Sequence, residues 1–134
     1  PAWWNQTVDL VTSTPASNTV LGTGDYDQVG TTLQSGTQIA IASINDDEVT
    51  YNDWPLNATG LTNVSKTSIT KFGTRLSGDT TNTAPAWTAN KSDRCSTFFA
   101  DQTGTSQDPK LVVVHSSAAG AAAVVSNLLT LHVG

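Results

Sequence analysis

Apolar positions in this chain recur mostly at every second residue, or gather in short β-branched runs closed by turn residues, which is the periodicity of strands. Val8, Leu10 and Thr12 share one side of a first predicted strand, which Thr14-Pro15 ends. Ile39 and Ile41 mark a second over 37–43, and a third covers 48–54 and stops at Pro55. A fourth spans 67–77, but Ile69 and Phe72 are three apart and Gly73 follows, so a β-bulge is expected near Lys71. The fifth, 94–100, sets Phe98 and Phe99 on opposite faces. Residues 110–117 hold Leu111-Val-Val-Val114 without alternation, which predicts a strand covered on both faces. The last strand, 125–133, aligns Val125, Leu129, Leu131 and Val133 on one face.

Turn-rich connections separate these runs, among them Gly22-Thr-Gly-Asp25, Ser77-Gly-Asp-Thr80 and Gly104-Thr-Ser-Gln-Asp-Pro109. Short helical turns are predicted at 26–29 and 59–66; Leu61 and Val64 lie one turn apart in the second, which is too short to hold without packing. The expected fold is all-β: an antiparallel, jelly-roll-like β-sandwich with one or two short helical turns. Residues 1–117 would form the sandwich domain, and 118–134 a small-residue linker followed by a C-terminal strand.

Composition narrows the setting. The 134 residues include 22 Thr and 13 Ser, while charged residues are only 13% and the net charge is -5. So few cations cannot neutralise a run of phosphates, which argues against nucleic acid as a partner. No apolar run nears the roughly 18 residues that cross a bilayer, so membrane insertion is not expected. The profile suits an extracellular or virion-surface domain. Cys95 is the single cysteine and cannot form an intrachain disulfide. A chain that opens at Pro1 and contains no Met is expected to be a processed product or a fragment.

Several stretches, in order, resemble a family of β-sandwich domains of phage structural proteins and microbial surface proteins, related to the DNRLRE and disaggregatase-associated jelly rolls. They are Ser13-Thr-Pro-Ala-Ser-Asn18, Asp25-Tyr-Asp-Gln-Val-Gly30, Tyr51-Asn-Asp-Trp-Pro-Leu-Asn-Ala-Thr-Gly60, Ile69-Thr-Lys-Phe-Gly-Thr-Arg75, Asn82-Thr-Ala-Pro85 and Phe99-Ala-Asp-Gln-Thr-Gly-Thr-Ser-Gln-Asp-Pro-Lys-Leu-Val-Val113. The likeness covers residues 8–117. It implies a non-enzymatic structural subunit on a phage virion surface, as tail fibre or capsid decoration. Family members usually carry further strands upstream, so this chain is expected to begin inside the domain.

A sandwich short of strands exposes unpaired backbone edges. Either the extra strand at 125–133 fills the gap within its own chain, or it adds to the sheet of a neighbour, as in a filament joined by donor strands. Trp3, Trp4, Val125, Leu129, Leu131 and Val133 are the candidate assembly residues, with copies of the chain or another surface subunit as partners. A carbohydrate-binding or adhesion module is the alternative of another class, with Tyr51, Trp54 and Trp87 as candidate platforms for a cell-surface glycan. Trp54, ending a strand, is more in keeping with a core residue.

Candidate chemistry is sparse. His115 and His132 are the only histidines, no Gly-x-Ser-x-Gly elbow is present, and no CxxC or HExxH spacing suggests zinc, so no catalytic residue is assigned. No cofactor is expected, except that Asp25, Asp27, Asp46, Asp47, Asp101 and Asp108 are oxygen donors of the kind Ca²⁺ takes from loops. Asp at turn starts also serves local backbone hydrogen bonds. Arg75 with Asp79 or Asp101 is expected to lock one corner of the fold. Sequons at Asn5, Asn57, Asn63 and Asn90 are candidate glycosylation sites.

Overall fold

The computed structural model describes residues 5–45, 47, 49–84, 89, 103–106 and 108–114, and the backbone of 129–133. The strands, all in antiparallel pairs, are β1 Thr7–Ser13, β2 Val29–Leu33, β3 Ile39–Ala40, β4 Asn52–Pro55, β5 Phe72–Leu76, β6 Lys110–Val113 and β7 Leu129–Val133. Two short helices accompany them, α1 Ala58–Asn63 and α2 Ser77–Thr80, with 3-10 turns at Thr23–Gln28 and Ile41–Ser43. The chain is thus mostly strand with little helix. Among the described residues the strands form two open sheets, and neither closes on itself.

The first sheet is built around β1. On one side β5 runs along it in unbroken register from Val8↔Leu76 to Thr12↔Phe72. On the other side β2 covers Val11 to Ser13 and β3 covers Thr7 and Val8. Between β2 and β3 the chain leaves β1, and Ser35 bridges to Leu56 just beyond β4. Leu10 carries the apolar contact: with Trp54 of β4 and Leu56 it forms the core, and Val8, Ile39, Leu61, Val64 and Phe72 pack against it. Trp54 is 3% exposed and its indole Nε1 donates to the Val8 carbonyl at 3.0 Å, so its polar edge is satisfied inside the core.

A polar knot holds α1 beneath this core. Asn57 caps the helix, its Oδ1 accepting from Gly60 N at 2.8 Å, while its Nδ2 donates to the Leu33 carbonyl at 3.1 Å. Gln34 is fully buried; its Nε2 donates to Thr32 O at 2.9 Å and its Oε1 accepts from Asn63 Nδ2 at 2.7 Å. Gly60 is required here, because an added Cβ would collide with the Gln34 carbonyl.

Several expectations from the pattern are corrected. No bulge falls near Lys71: β5 begins at Phe72, Ile69 is 61% exposed and precedes the strand, and the irregular register lies instead between Val11 and Ser13. Lys71 donates from Nζ to the carbonyls of Pro15 (2.6 Å) and Ser17 (3.1 Å), tying down the turn after β1. The strand expected over 37–43 is confined to Ile39–Ala40, and the one over 48–54 to Asn52–Pro55, because Asp47 turns the chain through Thr50. The helical turn expected over 26–29 falls at Thr23–Gln28, and residues 29–33, for which no strand was predicted, form β2. The strand expected over 94–100, together with Cys95, His115 and the small-residue stretch 118–123, lies outside the described residues.

Candidate functional site

The second sheet has the order β4-β7-β6. β7 pairs with β4 from Asn52↔Val133 to Pro55↔Thr130, and with β6 from Lys110↔His132 to Val113↔Leu129. Within the single chain β7 thus lies between β4 and β6. β6 is left at the border of the sheet, with β7 as its partner among the described residues.

The run Leu111-Val-Val-Val114 was expected to be covered on both faces, and it is exposed: Leu111 is 49% and Val113 56% accessible, with Val112 and Val114 also in water. The reason is positional. An unbroken apolar run describes a central strand and an exposed edge strand equally well, and only the neighbours decide between them. Natural edges are blunted by proline and lysine; here Pro109 and Lys110 guard the start of β6 and nothing similar follows.

Tyr51 and its surroundings fix where β6 begins. The Tyr51 hydroxyl donates to the carbonyls of Ser106 (2.8 Å) and Asp108 (3.2 Å), while Lys110 Nζ sits 3.9 Å from the centre of the Tyr51 ring. Asn52 closes the preceding loop, exchanging hydrogen bonds with the backbone of Asn45 at 2.8 and 3.1 Å. The half-buried Tyr51 is thus a brace between the approach to β4 and that to β6. Trp54 is a core residue and offers no stacking surface, which corrects its candidacy as a glycan platform.

A search of family models, curated proteins and solved structures finds no match to this chain.

The described acidic candidates are spread over three places in the chain. Asp25 accepts from Gly22 N at 2.7 Å and Ala16 N at 3.4 Å, and Asp27 is exposed in the same 3-10 turn. Asp47 accepts from Val49 N (2.9 Å), Thr50 N (2.7 Å) and Thr50 Oγ1 (2.6 Å); the Thr50 hydroxyl, then the backbone bonds, hold its carboxyl below the ordinary 3.8. Asp108 has a buried Oδ1 without a hydrogen-bond partner. Among the described residues no three His, Cys, Asp or Glu side chains are grouped to hold a metal ion. Asp46 and Asp101 lie outside the described residues, as do Trp3, Trp4, Trp87, Val125 and Asn90; Leu129, Leu131 and Val133 are placed by backbone in β7.

Arg75 and Asp79 do form the expected corner. Arg75 Nε meets Asp79 Oδ2 at 2.6 Å and Nη1 donates to Val29 O at 2.9 Å, joining β5, α2 and β2, with the guanidinium 5.9 Å over Tyr26. The Asp79 hydrogen bond raises the Arg75 pKa further above its already high value. Of the sequon asparagines, Asn5 is exposed ahead of β1, whereas Asn57 and Asn63 use the amide nitrogen that would carry a sugar to bind Leu33 and Gln34. No helix among the described residues is long and apolar enough to cross a membrane. The residues the pattern missed are those of the β6 edge; the signal was an apolar run guarded by Pro109-Lys110 at one end alone.

Proposed function

We propose that this chain is a non-enzymatic structural subunit that assembles through its sheet edges, its two sheets packed as a jelly-roll-like sandwich. The setting we propose is a phage virion surface, as tail fibre or capsid decoration. One observation carries the reading: among the described residues β6 borders its sheet, and its apolar side chains are exposed on both faces. Such a strand offers a row of main-chain donors and acceptors for affinity and alternate side chains for register. The favoured occupant is a second copy of the same strand. In an antiparallel self-pair over 110–114, Lys110 of each copy lies at opposite ends of the ladder, so like charges are not opposed and the valines meet.

The test is oligomeric state against concentration, by light scattering and sedimentation. Wild type should associate, and the double variant Leu111→Lys, Val113→Lys should remain monomeric while keeping its strand spectrum. A wild-type monomer at every concentration would refute the proposal.

A second reading, an extracellular filament joined by donor strands, draws on the placement of β7. A strand near the end of the sequence that lies between two others is one that copies can trade, re-forming the same ladders in trans. Mixed oligomers of two tagged versions that exchange only after denaturation would favour this route over edge pairing.

A further inference from the structure

Asp9 lies in the middle of β1 and is 1% exposed, although most buried carboxylates are ion-paired. Its Oδ1 accepts from two side chains, Thr7 Oγ1 at 2.7 Å and Gln38 Nε2 at 3.1 Å. Its Oδ2 is buried with no hydrogen-bond partner. The register explains the meeting. Thr7↔Ala40 and Val8↔Ile39 bring Gln38 opposite Asp9, and residues opposed in an antiparallel ladder share a face with those two positions away. One carboxylate oxygen thus bridges a hydroxyl nucleophile on β1 and the nitrogen of a carboxamide beside β3.

We propose that Thr7 and Gln38 condense into an intrachain ester. Thr7 Oγ1 bonds to Gln38 Cδ as Asp9 Oδ1 takes the hydroxyl proton; Asp9 then gives that proton to Nε2, the Cδ–N bond breaks, and ammonia leaves. Hydroxyl plus amide become ester plus ammonia, with no oxidant, reductant or metal. Asp9 is held within hydrogen-bond reach of both the attacking and the leaving atom, and its buried surroundings strengthen those bonds. Gln38 is exposed, so the ammonia is released into water, and its dilution draws the reaction forward. The cross-link would tie β1 to the start of β3 in a chain whose single cysteine cannot do so. This inference is independent of the proposed assembly, since the mass of a monomer reports it equally well.

Intact-mass measurement of the full chain decides it. Wild type and Thr7→Ser should weigh about 17 Da less than their sequences, the ammonia lost, and a protease digest should yield a linked peptide joining residues 7 and 38 that hydroxylamine separates. The sequence holds no Asn-Gly pair whose succinimide would produce the same loss. Thr7→Val, Gln38→Leu and Asp9→Asn should keep full mass; the Gln38 change is at an exposed position, so it remains informative if the Asp9 variant fails to fold. Full mass in aged wild type, or a loss that persists in Thr7→Val or Gln38→Leu, would overturn the proposal.

Discussion

In the first sheet the central strand β1 is bordered on both sides and buried through Asp9, Leu10 and Val11, whereas in the second sheet β6 is bordered by β7 and has four consecutive apolar residues in water. In sequence the two differ only in that Val8, Leu10 and Thr12 alternate while Leu111 to Val114 run unbroken. Side-chain bonds from distant residues stitch the first sheet: Arg75 to Val29, Asn57 to Leu33 and Trp54 to Val8. The second is braced at one corner through Tyr51, and its border is left unguarded after Lys110. The comparison separates a region whose strands are buried and stitched together from one whose outermost described strand is exposed.

The largest effect should come from breaking the first region at its centre. Trp54→Ala removes the largest core side chain and leaves the Val8 carbonyl without its donor, and should cost about 3–5 kcal/mol in denaturant unfolding. Gly60→Ala should follow at about 1–3 kcal/mol, because the new methyl must displace the Gln34 carbonyl from the Asn57 knot. Equal stability of this variant and wild type would show that the knot yields freely.

At the other region the expectation reverses. Leu111→Lys with Val113→Lys should change monomer stability by about 0.5 kcal/mol or less, since both side chains are already in water, and a loss of several kcal/mol would mean that the edge is covered. The smallest effect is at Asp47. Its folded pKa is depressed, so the loop it holds is fully stabilised above the ordinary 3.8 and loses that help as pH falls through the lower folded value. The Val49 and Thr50 amide resonances should therefore titrate below 3.8, and Thr50→Val should move that midpoint up toward it.

Legibility in the sequence followed the range of the cause. β1, α1 and the Arg75–Asp79 pair were readable because each depends on residues a few positions apart: the alternation of Val8, Leu10 and Thr12, Leu61 and Val64 one turn apart, and Arg75 and Asp79 on either side of one turn. β2 was missed although Val29, Thr31 and Leu33 alternate, because Val29 was assigned to a helical turn and Gly30 with two threonines in succession gives a weak apolar signal. The bulge near Lys71 was misplaced because Ile69 was assigned to a strand that begins three residues later. The β6 edge was mistaken for a covered strand because a sequence does not state how many neighbours a strand has.

The sequence by itself determined that this is a strand-rich chain with weak helical signals, since these follow from local sterics and from water's rejection of apolar surface. Only the tertiary structure decided which strands became neighbours: β5 beside β1 across some sixty residues, β7 between β4 and β6, and Thr7, Asp9 and Gln38 on one face. Those pairings are settled by the competition among all possible ladders for the same backbone groups and the same core, and no short window of residues contains that competition.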